Sequence, residues 1–317
     1  MGRIDAICTS PEKGVRKTAV SSARFVAGNG IEGDAHAGPW HRQVSLLATE
    51  KIEEARDRVP GLGAGDFAEN LAISGIDSES LGLGSRLRLG PEVELRITQI
   101  GKVCHKPCRI QTLTGDCIMP RSGLFARVES GGSVSVGDEV ELVQLVPREH
   151  FQVVVLTISD RCSEGQATDT AGPGVVQQIQ EAMEAHIYAA EILPDEAERI
   201  ADRLKHYSDG HSIDMILTVG GTGFSPRDVT PEATRGVVER FTPGLDEAMR
   251  AASAVKTPHA MLSRACSGIR GATLIVNLPG SERAARENLE ALLPALPHGL
   301  AKLRGDQADC GRLPSRE

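Results

Sequence analysis

A run of glycines followed by an aspartate is the part of this chain best suited to chemistry. Residues 220–223 read Gly-Gly-Thr-Gly, follow the apolar stretch 215–219, and lead to Asp228. This order predicts a buried strand, a tight turn, and a helix opened by Thr230 and Pro231. Glycines allow close backbone approach, exposed N–H groups can face anionic oxygens, and a nearby carboxylate can hold Mg²⁺. The segment therefore predicts a phosphate cradle with a metal ligand.

Other polar residues follow three further predicted strands at the points where those strands end. Asp160 stands in Ser-Asp-Arg after the first strand, Asp195 in Pro-Asp-Glu after the second, and residues 277–281 form another strand–glycine–helix turn. Because the carboxyl ends of parallel strands meet at one sheet edge, we expect these loops to converge. Carboxylates for a metal beside amides for phosphate oxygens suit an Mg²⁺-bound triphosphate.

Each of these residues also has a simpler interpretation. Asp195 alone is equally well read as the N-cap of its helix. Asp160 can form an Asx turn, with Arg227 as its partner in a surface ion pair. Their joint placement at one predicted edge favours a functional site.

Two thiols near the end of the first half form a second candidate site. Cys104 and Cys108 flank His105 and Lys106, and Arg109 follows. Cationic neighbours lower the pKa of a thiol and make it a better nucleophile or sulfur carrier, which favours a functional Cys108. A zinc site with His36 or His41 is an alternative, although a closed zinc site normally needs a second ligand pair. Inert, half-buried cysteines are the third interpretation.

The elements that must position these residues differ between the two halves. Residues 1–146 contain short runs that alternate apolar and polar residues, separated by glycine turns, with one clear helix at 49–58. This pattern predicts a mostly-β barrel or sandwich. Residues 151–303 alternate four apolar strands with helices, among them helices at 172–186 and 231–240, which predicts a three-layer α/β domain with a mainly parallel sheet. Residues 147–150 form the predicted boundary, and 304–317 a flexible tail.

Composition limits the classes of protein that fit. A chain of 317 residues is long enough for about two domains, and its net charge of −8 argues against nucleic acid as the main partner. No apolar run reaches the roughly 20 residues of a membrane helix. Seven dispersed cysteines fit reduced thiols better than a disulfide framework, so we expect a cytoplasmic protein without a membrane partner.

The second half resembles the molybdopterin adenylyltransferase family, which shares the molybdopterin-binding fold. The matching segments occur in family order at 157–161, 193–196, 220–223, 227–234, 243–244, 247–250, 262–264 and 277–280. Val219 is a small departure, because relatives often have a smaller or polar residue there. The resemblance implies Mg²⁺-dependent transfer of AMP from ATP to molybdopterin, with release of pyrophosphate. It also implies a homotrimer, with a molybdenum-insertion protein and molybdoenzymes as partners.

The same resemblance implies a role for individual residues of the second half. Asp195 and Asp228 would be catalytic and would hold the Mg²⁺ ion. The substrate-binding residues would be Ser159, Asp160, Gly220, Gly221, Thr222, Gly223, Glu247, Ser263, Pro279, Gly280 and Ser281. A non-catalytic carrier of molybdopterin or of the finished cofactor is the alternative interpretation, and the two intact aspartates argue against it.

The first half resembles the MOSC domain, named for the C-terminal domain of molybdenum cofactor sulfurases. Residues 33–36, 42–43 and 69–71 and Cys108 follow the order expected of that family. The resemblance implies a β-rich barrel in which Cys108 carries sulfur or contacts a bound molybdenum cofactor. A sulfur carrier whose α/β half only docks cofactor is a further alternative. If both resemblances hold, one chain joins a producer of activated pterin to a domain that handles the cofactor.

Overall fold

The structure, a computed structural model, describes residues 1–101 and 117–306. Its internal contacts divide the chain into two compact units, Met1–His150 and Phe151–Glu317. The predicted two-domain architecture is therefore confirmed.

The described part of the first unit consists of strands with two helices between them. The strands are β1 (Gly2–Thr9), β2 (Thr18–Val20), β3 (Ser22–Val26), β4 (Gly30–Ile31), β5 (Val44–Ala48), β6 (Leu71–Ser74), β7 (Arg86–Leu89), β8 (Val93–Ile100), β9 (Leu124–Ser130), β10 (Gly132–Ser135) and β11 (Glu139–Gln144). The helices are α1 (Thr49–Arg58) and α2 (Met119–Ser122).

Strands of the first unit close into a barrel. Their order is β11-β7-β8-β9-β5-β6-β1, and β1 pairs back with β11 at Gly2 and Val140. Neighbours are antiparallel except β5 and β6, which are parallel. Leu87 and Leu89 are fully buried and alternate with arginines along β7, as the two-residue period of a strand requires. The predicted β-rich barrel is confirmed, with seven strands in the described residues.

Helix α1 covers one side of the barrel wall and occupies the residues that the sequence predicts. Ile52 and Ala55, three positions apart on one helix face, are its buried residues. They pack in a cluster with Leu47 of β5 and with Phe67. Burying a side chain of the size of Ile52 contributes about 1.5–3 kcal/mol, so this contact stabilises the packing of α1 against β5.

The second unit alternates strands and helices along the chain. Its strands are β12 (Phe151–Ile158), β13 (Ala185–Leu193), β14 (Met215–Val219), β15 (Arg240–Phe241), β16 (Ser267–Arg270) and β17 (Thr273–Leu278). Its helices are α3 (Asp160–Ser163), α4 (Ala171–Ala182), α5 (Ala197–Gly210), α6 (Thr230–Arg235), α7 (Pro243–Ala254), α8 (Glu282–Leu292) and α9 (Leu296–Leu303), with a 3₁₀ helix at Pro258–Leu262.

These strands form one sheet in the order β13-β12-β14-β17-β16-β15. β12 pairs in parallel with both β13 and β14, and β14 pairs in parallel with β17. β16 is antiparallel to β17 and to β15. The carboxyl ends of β12, β13, β14 and β17 therefore lie at the same edge of the sheet.

Both faces of this sheet are covered by helices, because its central strands are apolar at consecutive positions. Val153 and Val155 face a core that includes residues of α4, α7, α8 and α9. Val154 and Leu156 face a second core that includes residues of α5 and α6. The two cores give three layers, with the sheet in the middle.

The sequence predicts four strands for this sheet, and the structure contains six in the described residues. The two additional strands, β15 and β16, are short, and β15 occupies the end of a segment predicted as helix 231–240. The helix predicted at 172–186 ends at Ala182, and His186 belongs to β13. In the predicted tail, Arg304 pairs with Asp214 at 2.7 Å, and residues 307–317 lie outside the described residues.

Within the described residues, no helix has both the length and the apolar character needed to cross a membrane.

Candidate functional site

The loops at the carboxyl edge of the sheet converge as the strand register requires. Ile158 lies beside Leu193, Thr157 beside Val219, and Val219 beside Leu278, so the four parallel strands end nearly level. The residues that follow them include Asp160, Asp195, the glycine turn at 220–223, and the turn at 279–281. The structure thus brings together most of the residues that the sequence predicts for the site.

Asp160 and Asp195 hold their two loops together by a reciprocal pair of hydrogen bonds. The backbone N–H of Asp160 donates to Oδ2 of Asp195 at 2.9 Å. The backbone N–H of Asp195 donates in return to Oδ1 of Asp160, also at 2.9 Å. Arg227 then donates twice to Asp160, from Nε at 2.9 Å and from Nη2 at 2.8 Å. The carboxylate of Asp160 therefore connects the loop of Asp195 to Arg227. Its predicted ion pair with Arg227 is present.

The two carboxylates differ in their electrostatic surroundings. The Arg227 guanidinium lowers the pKa of Asp160 below its ordinary value, and the N–H of Asp195 acts in the same direction. Burial raises the pKa of Asp195, and the neighbouring charges of Asp160 and Asp228 raise it further. Asp195 therefore sits in a field of like charge that a bound cation would relieve.

The turn requires glycine at positions 220, 221 and 223, because a Cβ atom at any of them would collide with a neighbouring backbone or side-chain oxygen. Gly220 has a φ of +113°, and a Cβ on it would lie 2.3 Å from the carbonyl oxygen of Ile158. A Cβ on Gly221 would lie 2.3 Å from Oγ1 of Thr230 and 2.9 Å from Oδ1 of Asp195. A Cβ on Gly223 would lie 2.9 Å from Oδ2 of Asp228. The turn therefore threads closely past both carboxylates.

The oxygens that remain available at Asp195 and Asp228 are of the chemical type that a magnesium ion binds. Oδ2 of Asp228 accepts from the N–H of Ser225 at 2.8 Å, and Oδ2 of Asp195 accepts from Asp160. In the described residues, no hydrogen bond engages Oδ1 of either aspartate. Hard oxygen ligands supplied by one or two carboxylates are typical of Mg²⁺ sites, which keep several waters. No group of three or more His, Cys, Asp or Glu that could hold a metal occurs in the described residues.

A cavity of about 480 Å³ adjoins the glycine turn. Thr222, Gly223, Ser263 and Pro279 line it, all of which the sequence predicts as substrate-binding residues. Other lining residues were not predicted, and those with polar side chains are Arg250, Ser253, Thr257, His259 and Asn288. They lie on α7, α8 and the 3₁₀ helix or beside these elements. The sequence does not reveal whether a polar residue on such an element faces the cavity or the solvent.

The remaining predicted residues take different positions. Glu247 is exposed on α7 and does not line the cavity, whereas its neighbour Asp246 is buried and accepts from Ser267 Oγ at 2.6 Å. Ser159 and Ser281 are the N-caps of α3 and α8, each accepting a backbone N–H at 3.3 Å. Gly280 lies close to Gly220, so the two glycine turns meet.

The first unit holds a separate buried polar cluster around Asp34. Lys17 Nζ donates to Oδ2 of Asp34 at 2.5 Å, with both side chains almost fully buried. Asn70 Nδ2 donates to the same oxygen at 3.0 Å, and the N–H of His36 donates to Oδ1 at 2.9 Å. Asp34, His36 and Asn70 belong to the segments that suggested a MOSC domain, whereas Lys17 is a partner that the sequence did not indicate.

Two further buried groups lie near this cluster. Burial raises the pKa of Glu69 to about 7, although it accepts the N–H groups of Gly65 at 2.5 Å and Phe67 at 3.0 Å. Burial also raises the pKa of the Cys8 thiol to about 12, which makes that thiol a poor nucleophile. The predicted sulfur residue Cys108, with Cys104 and their basic neighbours, lies outside the described residues.

Comparison with known families identifies both units. Residues 154–298 match the probable molybdopterin binding domain, and residues 33–141 match the MOSC domain. The chain belongs to the molybdopterin adenylyltransferase family through its C-terminal domain and carries a MOSC domain at its N-terminus.

Particular relatives show how the similarity is distributed. A molybdopterin adenylyltransferase of Helicobacter pylori is 40% identical over 49% of this chain and 89% of its own length. Gephyrin of Dictyostelium discoideum is 45% identical over 48% of this chain and 22% of its length. The crystal structure of the molybdopterin biosynthesis enzyme MoaB from Thermus thermophilus is 46% identical, covering 49% of this chain and 98% of that one, with a TM-score of 0.47. The match to gephyrin thus covers only about a fifth of that larger relative.

Proposed function

We propose that the C-terminal domain transfers AMP from ATP to molybdopterin in a reaction that requires Mg²⁺. The observation that carries this proposal is the pair Asp195 and Asp228 beside a turn in which a Cβ on Gly221 or Gly223 would lie 2.9 Å from a carboxylate oxygen. Adenylyltransferases named for this reaction match almost the whole domain. The chain therefore has both the family membership and the local chemistry of a nucleotidyltransferase.

In this reaction a terminal phosphate oxygen of molybdopterin attacks the α-phosphorus of ATP. A new bond from that oxygen to the α-phosphorus forms, the bond to the bridging oxygen of the β-phosphate breaks, and pyrophosphate leaves with the electron pair. Asp195 and Asp228 would hold Mg²⁺, which neutralises charge on the triphosphate when bound. Backbone N–H groups of residues 220–223 would hold phosphate oxygens, and Thr222 and Ser263 would bind substrate in the cavity. No covalent enzyme intermediate is needed, because positioning and charge stabilisation supply the catalysis.

For the N-terminal domain we propose a role in handling the finished cofactor. It would bind molybdenum cofactor or carry sulfur on Cys108, in line with its membership of the MOSC family. Mass spectrometry of the protein incubated with a low-molecular-weight persulfide, whose outer sulfur passes to a thiolate while its own thiol leaves, compared with Cys108→Ala, would test the sulfur role. A persulfide that persists in Cys108→Ala would contradict the assignment to that residue.

Release of pyrophosphate tests the proposed transferase activity. Purified protein with ATP, Mg²⁺ and molybdopterin should release pyrophosphate, and Asp228→Asn should abolish release while molybdopterin binding persists. Asp202→Asn is a matched control, because Asp202 is an exposed aspartate on α5. A wild-type protein that binds molybdopterin without turnover would instead be a carrier, and full activity in Asp228→Asn would remove the metal-site assignment.

A further inference from the structure

The segment that carries Asp228 connects the glycine turn to α6 and is largely exposed to solvent. Residues 224–227 are exposed, and Phe224 has a relative exposure of 68%. The internal bonds of the segment are local, from the N–H groups of Ser225 and Arg227 to side chains of the same turn. A segment of this kind needs a support from elsewhere if it is to hold a carboxylate in one position.

One such support is the ion pair of Arg227 with Asp160, and a second is the guanidinium of Arg264, which follows the 3₁₀ helix. Its Nε donates to the carbonyl oxygen of Gly223 at 2.7 Å, and its Nη2 donates to the carbonyl oxygen of Asp228. Its Nη1 donates to Oε1 of Glu232 at 2.6 Å, at the start of α6. Its own backbone N–H donates to the carbonyl oxygen of Thr222 at 3.0 Å. One residue thus spans the segment from its beginning to its end.

We infer that Arg264 is a positioning residue that fixes Asp228 relative to the glycine turn. It acts through backbone carbonyls and Glu232, so it has no need to touch substrate. The same bonds tie Thr222 and Gly223 to the residue that follows Ser263, and all three of these residues line the cavity. This inference rests on the proposed transferase function, because the metal role of Asp228 is part of that proposal.

The planar shape of arginine explains why this residue type suits the position. Three donors on one rigid fork reach Gly223, Asp228 and Glu232 in different directions. Lysine has a single ammonium on a flexible stem and cannot reproduce that arrangement, although it retains the charge. If Arg264 acted through its charge alone, Arg264→Lys would therefore retain activity. If it acts through the geometry of its three donors, Arg264→Lys should lose activity.

The experiment compares Arg264→Lys and Arg264→Gln with wild type in the pyrophosphate assay. We expect kcat to fall about 100-fold in both variants, the loss typical of a small misplacement of catalytic groups. We also expect the Mg²⁺ concentration for half-maximal rate to rise at least several-fold, because the Asp228 backbone is released. Arg270→Gln is the matched control, since Arg270 also donates to a carboxylate, Asp209, and to a backbone carbonyl, that of Val237.

Hydrogen–deuterium exchange distinguishes this inference from the function on which it rests. Faster exchange at residues 221–230 in Arg264→Gln, with no such change in Arg270→Gln, is the expected structural result. Unchanged exchange, or an unchanged Mg²⁺ requirement with only a lower Tm, would overturn the positioning role. An inactive wild type whose segment still loosens in Arg264→Gln would overturn the transferase proposal while leaving the support by Arg264 intact.

Discussion

At the scale of single residues, Asp160 and Asp195 have opposite pKa shifts, although both directly follow a strand in similar sequence surroundings. Asp160 shares its carboxylate between Arg227 and a backbone N–H, which lowers its pKa. Asp195 is more buried and faces the charges of Asp160 and Asp228, which raises its pKa. Arg227 thus keeps Asp160 ionised, and the ionised Asp160 holds the loop of Asp195 in place. Asp195, whose pKa is raised, is therefore the carboxylate whose ionised form a bound cation would stabilise most.

Replacing Asp228 by Asn should lower the pKa of Asp195. The variant removes one of the charges that disfavour its ionised form, so Asp195 should lose its proton at a lower pH than in wild type. A raised folded-state pKa means that ionising Asp195 costs stability as pH rises through that pKa, and the variant should reduce this cost. A titration of the Asp195 carboxyl carbon by NMR measures the shift, with Asp202→Asn as control. An unchanged midpoint in Asp228→Asn would show that the two carboxylates do not interact.

The buried pair of Lys17 and Asp34 should be sensitive to the loss of either partner. Lys17→Met leaves the Asp34 carboxylate buried without its ammonium, and removing one member of a buried pair costs about 3–5 kcal/mol. The double variant Lys17→Met with Asp34→Asn should recover part of this loss, because no charge then stays unpaired. Denaturant unfolding followed by the fluorescence of Trp40, the single tryptophan of the chain, measures the change in this unit.

Lys51→Met is the control for this comparison. Lys51 pairs on the surface with Glu79 at 2.9 Å, and exposed pairs contribute about 0–1 kcal/mol. A Lys17→Met variant that loses no more stability than Lys51→Met would contradict the prediction that the buried pair is sensitive to the loss of one partner.

At the scale of elements, the phosphate cradle depends on a strand that leads directly into a turn in which three of the four residues are glycines. β14 is buried along its whole length, which fixes where residues 220–223 begin. Gly221 has a φ of +63°, a conformation that other residues adopt only with strain. The turn is therefore placed by the apolar strand before it and shaped by its glycines.

Gly221→Ala should abolish transfer because its Cβ would displace Thr230 or Asp195. The added carbon would lie 2.3 Å from Oγ1 of Thr230 and 2.9 Å from Oδ1 of Asp195. We expect kcat for pyrophosphate release to fall at least about 100-fold, as for other small displacements of catalytic groups. Gly299→Ala on α9, where a Cβ meets nothing within 4 Å, should retain full activity. Wild-type turnover in Gly221→Ala would show that the turn does not determine the position of Asp195.

Elements with a strong periodic pattern were predictable from the sequence, and elements held by tertiary contacts were not. Helix α1 and the four parallel strands have clear apolar patterns, so the sequence indicates them. β15 and β16 are short and lack such patterns, and they form because the sheet offers an edge to pair with. Asp195, Asp228 and the glycines have side-chain types that suggest a site by themselves. The supporting role of Arg264 depends on carbonyl oxygens, which no residue type reveals.

At the scale of the whole molecule, every group of the proposed transferase site comes from one unit. The cradle, both aspartates and the cavity belong to Phe151–Glu317. We therefore expect this unit, expressed alone, to release pyrophosphate with kcat and KM within about twofold of the full chain, a difference of less than half a kcal/mol. A matched Asp228→Asn variant of the separate unit is the control. A large loss of activity in an intact, folded separate unit would mean that the first unit contributes to catalysis.

Joining the two domains in one chain should therefore improve a step that follows the transfer of AMP. A tether raises the effective concentration of one domain near the other to about the millimolar range, which helps most when the proteins are dilute. If adenylylated molybdopterin or a later form of the cofactor is handed on within the chain, the joined protein should outperform an equimolar mixture of the two units in activating an apo-molybdoenzyme. The advantage should shrink as both are made more concentrated, because free collisions then replace the tether. Equal activation by the mixture at low concentration would show that the fusion does not serve transfer.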